Sequence, residues 1–421
     1  MVALLGPILA QVVTLSLADR TEAREIVNQD SYAEAATRPA AALALLWKHT
    51  RLLLGYAPSF TLTPLGSESR ELLVYHTAAL NGSYVLGRTV LFVNESVGYG
   101  SQNFQEQALA GGALATAPGV PGPAAGNNTP APLAIGTVLG GPTSTNGATG
   151  GTVNPTRNPV TLSNKVVRFE SLATSVGVTH TASRNLVYGG DTGYALSGAV
   201  RPADQAQYPL VQGPRWSAFT RYGWGHHDNV TSTLALQYAV VSMGRSVWLG
   251  ALTEDWAHRF NVHTSTILGV GASGTRSPVL NNGTVVAYGI YPTVNASIFE
   301  STILERGKLS LGFTVSAAPA LDLTTLAVDP RVSLSATTGW TRRRFFSMLG
   351  VGSALSVRGS NNTGALDSVT GSTSFGYMLG RAVSIDTGLR AAWQSYGGTT
   401  VIPMTYAGFV GMNFATIWPF H

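Results

Sequence analysis

Five charged or amide side chains stand inside alternating apolar segments and are the residues best suited to contact a polar solute: Arg221, Gln237, Asp386, Arg390 and Gln394. In AVSIDTGLRAAWQ, residues 382–394, the last three share one face of an extended chain and apolar side chains occupy the other. A charge that faces lipid at mid-depth costs about 2–4 kcal/mol. In a membrane-spanning sheet these side chains therefore point into a lumen. There they either tune the passage of a solute or pair across the interior and hold it in shape.

The short motifs that could indicate catalysis, a cofactor or a metal site do not lie in the structural context that such sites require. GVGASG at 269–274 has dinucleotide-loop spacing, but it leads into a segment rich in Pro and Asn instead of a helix. His226, His227 and Asp228 fall in a proposed tight turn, where solvated side chains are the better interpretation than metal ligands. There is no Cys, HExxH, GxSxG or P-loop. We therefore predict no catalytic residue, no metal site and no cofactor. An enzyme at a barrel rim would need a converging nucleophile, base and orienting group, and none is visible.

The composition excludes most soluble classes. Charged residues make up 11% of the 421 residues, against about 25% in a typical soluble domain, whereas apolar residues are an ordinary 44%. The net charge of +5 has no basic block, so a nucleic-acid partner is not expected. A membrane helix needs about 20 consecutive apolar residues, and the longest runs, VALLGPILA and PAAALALLW, stop near half that length. A closed β-barrel reconciles these facts, because only one face of each strand meets lipid.

Strict alternation of apolar and polar residues predicts the strands. In KLSLGFTVSAAP, apolar Leu309, Leu311 and Phe313 alternate with small or polar residues, which is the pattern of a half-exposed strand. Eighteen such segments occur, near 11–19, 40–48, 51–62, 71–86, 89–99, 166–181, 185–197, 215–226, 230–243, 246–257, 260–272, 283–304, 308–319, 329–341, 344–358, 367–379, 382–396 and 402–415. We predict an all-β, transmembrane, antiparallel up-and-down barrel of about eighteen strands, porin-like and placed in a bacterial outer membrane.

The connections between these segments alternate in length. Eight are tight, at 48–50, 86–88, 183–185, 226–229, 257–259, 305–308, 341–344 and 379–381. The other set is predicted to be longer, at 18–39, 63–70, 100–165, 198–214, 273–282, 320–328, 359–366 and 397–401, with one short exception near 244. Short periplasmic turns and longer outer loops are typical of bacterial barrels. Trp47, Trp224, Trp256 and Trp340 lie beside the tight turns and are predicted to form an interfacial aromatic belt.

The chain is expected to form one domain. Residues 1–10 resemble the end of a secretory signal peptide, and residues 11–421 form the barrel. The segment 100–165 is rich in Gly, Ala, Pro, Thr and Asn and cannot build a core of its own. We expect a long outer loop that either folds into the lumen or lies outside it.

Four phrases resemble a known group of proteins: SLADRTEARE, LLGYAPSFTLTPL, ELLVYHTAALNGSYVLGRTV and SVGYGSQNF, within residues 11–105. They resemble a myxobacterial outer-membrane group, which is similar to eighteen-stranded barrels that partner polysaccharide-export proteins lacking their own outer-membrane segment. The resemblance implies a polysaccharide cargo, handed over by a periplasmic polysaccharide-export protein, and outer-membrane lipid as the surroundings. It brings no catalytic residues.

Two main hypotheses about function follow. The first is a conduit for export of a surface or secreted polysaccharide, working with a periplasmic partner. The alternative is a general or solute-selective diffusion porin, because barrels of 16–18 strands are wide enough for an aqueous channel and many inward positions carry small side chains. An adhesive or structural barrel whose loops bind partners is a further alternative.

Overall fold

The structure is a computed structural model that describes most of the chain as β-strand. It describes residues 12–27, 31–65, 69–103, 166–205, 209–225, 227–242, 245–280, 284–304, 307–321, 328–356, 366–396 and 400–420. The expected signal remnant at 1–10 lies outside these ranges. So does the predicted loop at 100–165 apart from residues 100–103, which belong to a strand.

Twenty strand segments and one short helix make up the described residues. In chain order they are β1 (Val12–Val27), β2 (Ser31–Thr37), β3 (Ala40–Leu46), β4 (Thr50–Tyr56), β5 (Ser59–Leu65), β6 (Ser69–Leu86), β7 (Thr89–Asn103), β8 (Val166–Thr181), β9 (Leu186–Ala199), α1 (Pro202–Gln205), β10 (Val211–Trp224), β11 (Asp228–Val241), β12 (Arg245–Arg259), β13 (Thr264–Leu280), β14 (Thr284–Leu304), β15 (Gly307–Leu321), β16 (Val328–Arg342), β17 (Phe345–Ser356), β18 (Leu366–Met378), β19 (Val383–Tyr396) and β20 (Thr400–Phe420). No helix in these ranges has the length and hydropathy to cross a membrane.

The segments form a closed antiparallel barrel of eighteen strands. Each strand pairs with its neighbours along the chain, and β20 pairs with β1 through a register that includes Val27↔Tyr406 and Val13↔Phe420. Segments β2 and β3 continue one another, as do β4 and β5, so the twenty segments make eighteen barrel strands. The two breaks fall at Pro39 and Pro58, because proline has no N–H to donate to the ladder. The predicted fold class and strand number are confirmed.

The strands are longer than predicted at the end opposite the tight turns. The predicted long connections at 18–39, 63–70 and 273–282 are mostly strand, because β1 runs to Val27, β5 to Leu65 and β13 to Leu280. The sequence does not predict the first of these extensions, because it is rich in polar residues. Two of them, Glu22 and Arg24, occupy buried inward positions of β1. We call the end with the uniformly tight links and the two chain termini the turn end, and the other the loop end. Because short turns are typical of the periplasmic end of bacterial barrels, we predict that the turn end faces the periplasm.

The outer surface carries a band of large apolar side chains bounded by tryptophans. On β10, Trp224 lies at the turn end and Trp216 lies eight positions earlier on the same face, and Trp256 and Trp248 repeat this spacing on β12. Eight residues at about 3.3 Å, tilted by about 40°, rise roughly 20 Å, close to the ~25 Å apolar band of membrane barrels. Outward Leu252 is 60% exposed between them, as a lipid-facing side chain should be. The chain is an outer-membrane barrel.

Candidate solute pathway through the barrel

Four of the five predicted lumen residues have described side chains, and all four occupy inward positions. Arg221 alternates with outward Tyr222 and Trp224 on β10, and Gln237 on β11 is fully buried. Asp386 and Arg390 on β19 are 6% and 2% exposed. Gln394 lies farther along β19, but its side chain is outside the described residues.

The best-defined polar site lies on the inner wall where the barrel closes. Arg390 on β19 donates two hydrogen bonds to Glu22 on β1, from Nη1 to Oε1 at 2.7 Å and from Nη2 to Oε2 at 3.0 Å. The two residues are 368 positions apart in the chain. Bidentate guanidinium–carboxylate pairs combine charge attraction with a fixed geometry. This pair therefore links β1 to β19 across the closing strand β20.

A second set of contacts continues the network toward the turn end. Arg20 donates from Nη1 to Asn413 Oδ1 at 2.9 Å, from Nη2 to Asp386 Oδ2 at 3.0 Å and from Nε to Glu22 Oε2 at 3.2 Å. Asn413 Nδ2 in turn donates to Asp386 Oδ1 at 2.9 Å. Four side chains from β1, β19 and β20 thus share one set of hydrogen bonds, and each carboxylate accepts from more than one donor.

A third pair extends the network toward the loop end. Arg24 on β1 forms an ion pair with Glu34 on β2, and its Nη1 lies 4.0 Å from Glu22 Oε1. We call the whole set the seam cluster: Arg20, Glu22, Arg24, Glu34, Asp386, Arg390 and Asn413. Its three arginines and three carboxylates cancel in formal charge, so the cluster is a neutral network, and its contacts join β1 to β2, β19 and β20.

A sector of the inner wall with few charges adjoins the seam cluster. From β15 to β18 most inward positions carry hydroxyls and glycines: Ser310, Gly312, Thr314 and Ser316; Ser333, Ser335, Thr337 and Gly339; Gly350 and Gly352; Thr370, Ser372, Ser374 and Gly376. Lys308 and Arg331 lie on the same inward faces of β15 and β16, and Arg331 is buried. One cross-strand row runs from Gly312 through Thr337, Gly350 and Ser372 to Arg390. Small hydroxyl-bearing side chains leave space and offer both donors and acceptors to a solute.

A second charged sector lies across strands β9 to β12. Inward Arg215 and Arg221 on β10 flank Ser217, whose hydroxyl donates to the carboxylate of Asp191 on β9. Asp255 occupies an inward position of β12. The two arginines and two aspartates again balance in formal charge.

Five inward phenylalanines lie directly opposite a glycine of the neighbouring strand. The pairs are Phe92–Gly177, Phe219–Gly189, Phe299–Gly312, Phe346–Gly376 and Phe409–Gly388. In every pair, a Cβ added to the glycine would meet atoms of the ring, so the ring occupies the space that a side chain would fill. At Phe409, the guanidinium of Arg390 lies 4.0 Å from the ring centroid. The pairing keeps the large rings against the wall, so the lumen is wider than it would be if the rings projected into it.

The four predicted belt tryptophans all lie at the turn ends of their strands. Trp224 is outward and half exposed. Trp256 donates from Nε1 to Asp228 Oδ1 at 2.9 Å, which leaves its ring in the outer wall. Trp340 ends the outward face of β16, and the amide of Trp47 donates to the Thr50 carbonyl in the turn after β3. Membership of an interfacial belt remains our prediction for these four residues.

The histidine turn is a hydrogen-bonded cluster. His258 Nδ1 lies 2.8 Å from Asp228 Oδ1, and His227 Nδ1 lies 2.8 Å from the Arg259 carbonyl, whereas His226 is outside the described residues. Within the described ranges, no group of three or more His, Asp or Glu side chains is arranged to hold a metal ion.

Sequence reasoning did not find most of the seam cluster. Arg20, Glu22, Arg24 and Glu34 fall in the segment predicted as a loop at 18–39, and Asn413 lies in the last predicted strand, 402–415. The available signal was the spacing of Arg20, Glu22 and Arg24, which places alternate charges on one face of an extended chain.

Known proteins resemble this chain only in the overall barrel fold. No family model and no curated protein matches the chain. Among solved structures, OpdL of Pseudomonas aeruginosa is similar with a TM-score of 0.49 and 10% identity, over 97% of this chain and 100% of that one. OccAB3 of Acinetobacter baumannii gives 0.47 and 10%, over 96% and 99% of the two chains. OccAB4 of the same organism gives 0.48 and 7%, over 98% and 100%. The comparisons give no support to the resemblance to polysaccharide-export partner barrels.

Proposed function

We propose that the protein is a passive outer-membrane channel for small, neutral, polar solutes. The observation that carries this proposal is the hydroxyl and glycine sector of the inner wall from β15 to β18, inside a closed barrel whose outer face is apolar. Barrels of 16–18 strands enclose enough space for an aqueous channel. Hydroxyls exchange hydrogen bonds with a polyhydroxylated or amide-bearing solute without binding it tightly, and weak binding allows a solute to leave.

The pairing of opposite charges in two sectors of the inner wall supports a preference for neutral solutes. The seam cluster combines three arginines with three carboxylates, and the β9–β12 sector sets two arginines against two aspartates, while Lys308 and Arg331 add positive charge on β15 and β16. A ring of one sign would select ions of the other sign, whereas paired charges of both signs give little net field. We propose that Arg221, Gln237, Asp386, Arg390 and Gln394 line this path, with Arg215.

Reconstitution into planar bilayers tests the channel. We expect stepwise conductance from the purified chain alone, with a reversal potential close to zero in a KCl gradient. The double variant Arg215→Glu and Arg221→Glu reverses two inward positive charges, so we expect its reversal potential to shift in the cation-selective direction. The matched control is Arg342→Glu together with Arg343→Glu, which makes the same charge change in the exposed turn between β16 and β17.

Two outcomes would overturn the proposal. The first is no conductance and no swelling of proteoliposomes in neutral sugars, from protein whose folding is verified by its heat-dependent gel mobility. The second is an equal shift in the control variant, which would place the selective charges outside the lumen. Conductance that requires a periplasmic export protein, together with loss of surface polysaccharide on gene deletion, would instead support the export hypothesis.

A further inference from the structure

Two open grooves of similar construction lie on the outer surface of the barrel. Groove A, about 510 Å³, crosses β1, β3, β4, β6 and β7, and groove B, about 380 Å³, crosses β14 to β17. Both volumes fall within the range of small-molecule sites, about 300–1,000 Å³. Both grooves are lined almost entirely by apolar side chains of the lipid-facing wall.

Each groove is made of two adjacent cross-strand rows, and each has one glutamate in its row nearer the turn end. In groove B the glutamate row is Glu300, Leu311, Thr338 and Leu349. The second row places Ala336 between Phe313 and Val351, and this small side chain makes the depression.

Groove A repeats the arrangement on the far side of the seam. Its glutamate row runs through Glu95, Leu80, Leu54 and Leu43 to Leu15. The second row alternates large and small side chains, with Ala41 and Ala78 on either side of Tyr56. In both grooves a leucine is the cross-strand neighbour of the glutamate, and a β-branched residue, Val97 or Ile298, follows two positions toward the loop end.

Glu300 lies close to a tryptophan of the turn end. The row of Glu300 adjoins the row of Trp340, because Leu309 pairs with Trp340 and Leu311, two positions on, pairs with Glu300. Glu95 is six positions past Thr89 at the start of β7, whereas Glu300 is four positions before Leu304 at the end of β14, so Glu95 lies deeper in the apolar band. Tryptophan rings at strand ends occupy the headgroup region. The Glu300 carboxylate therefore lies near the level where the headgroups of the turn-end leaflet meet the acyl chains.

Neither carboxylate has a cationic partner in the described part of the chain. Glu300 accepts a hydrogen bond from Thr302 Oγ1 at 2.9 Å, and neither it nor Glu95 forms an ion pair there. An outward charge at this depth is costly without compensation. An ammonium group supplied by the membrane would compensate it.

We propose that groove B binds one phospholipid with a primary ammonium headgroup from the turn-end leaflet. The ammonium pairs with Glu300, and an acyl chain lies over Ala336. Charge complementarity and the apolar lining both favour this occupant over an anionic lipid. The proposal is independent of whether the barrel conducts.

Native mass spectrometry of the folded barrel, released from vesicles of equal parts phosphatidylethanolamine and phosphatidylglycerol, tests the proposal. We expect the wild type to retain one molecule of phosphatidylethanolamine in preference to phosphatidylglycerol. Glu300→Gln should weaken this retention about tenfold, since a hydrogen bond to a charged group contributes about 1.5 kcal/mol or more. Glu95→Gln, in the deeper groove A, should leave the retention unchanged. Glu254→Gln is the matched control, because Glu254 is also an outward acid near a tryptophan but lines neither groove.

A second variant distinguishes the contribution of the groove to lipid binding from that of the glutamate charge. Ala336→Phe fills groove B and leaves Glu300 in place, so it should remove the same lipid as Glu300→Gln. Equal retention of the two lipids by the wild type would overturn the proposal, as would undiminished retention by Glu300→Gln. A dimer whose formation the groove variants abolish would identify a second copy of the chain as the occupant. Heat-dependent gel mobility verifies folding of each variant.

Discussion

Replacement of Arg390 by Ala is expected to lower the free energy of unfolding of the barrel by about 3–5 kcal/mol. Glu22 is 2% exposed and accepts two of its hydrogen bonds from this guanidinium. Removal of one partner of a buried ion pair leaves the other buried and undercompensated, which costs far more than the pair contributes when intact. The lost contact joins β1 to β19, so the weakened part of the barrel is the seam at which the sheet closes.

Urea unfolding in lipid vesicles, followed by tryptophan fluorescence, measures this effect. The control is Arg342→Ala, since Arg342 is exposed at the turn end of β16 and surface substitutions usually change stability by less than about 0.5 kcal/mol. A difference of less than about 1 kcal/mol between the two variants would show that the seam cluster does not hold the barrel closed.

A double variant distinguishes loss of a pair from loss of packing. Glu22→Gln together with Arg390→Met removes both charges of the central pair and keeps most of the side-chain volume. We expect it to recover part of the loss, because exchange of both partners of a buried pair for less polar groups is often close to neutral. The corresponding double-mutant cycle then gives a coupling energy, since the two residues are in direct contact.

The strands were predictable because their physical cause is local. Every strand must place one face toward lipid, so the sequence alternates with period two wherever the strand crosses the apolar band. Ile385 and Leu389 alternate with Asp386 and Arg390 for this reason, and β19 was found with its ends at nearly the right residues. Above the band both faces of the sheet are free to be polar, and the alternation disappears. For this reason the sequence pattern predicts a connection where the loop-end half of β1 lies.

The partners in the seam cluster were not predictable because their pairing depends on closure of the whole sheet. Arg20 and Asp386 are 366 positions apart, and they meet only because β20 lies between β1 and β19 in a particular register. A shift of that register by two residues would preserve every inward position and change every partner. Single-residue reasoning placed Asp386 and Arg390 on an inward face. It left open whether they tune a pathway or pair across the interior, and in the structure each pairs with a residue of β1.

The phenylalanine–glycine pairs show a similar limit. Each member of a pair fits its own strand pattern, since Phe346 and Gly376 both lie on inward faces. Their mutual dependence arises only from the register of β17 against β18. A glycine in a strand is a weak signal by itself, because it indicates either a bulge or a close approach by another group. The structure identifies the close approach as an aromatic ring, an arrangement also used to stabilise glycines in designed sheets.

Replacement of Gly376 by Ala is expected to destabilise the barrel by about 1–3 kcal/mol and to lower its single-channel conductance. The three atoms nearest to a Cβ at this position all belong to the Phe346 ring. The ring must therefore shift, and we expect it to move toward the lumen, which is the open side of an inward-facing ring. Overpacking of a filled site costs energy of this size, and the displaced ring narrows the space available to ions.

The same strand provides the control for this prediction. Gly371→Ala adds the same methyl group to β18, but on the outward face, where a Cβ meets nothing within 4 Å. We expect this variant to keep the stability and the conductance of the wild type. Addition of Phe346→Leu to Gly376→Ala should restore the conductance, because the shorter side chain no longer competes for the space above residue 376. If Gly376→Ala behaves like Gly371→Ala in bilayer recordings and in urea, the ring is free to move along the wall. The pairing would then set neither the width of the lumen nor the packing of β17 against β18.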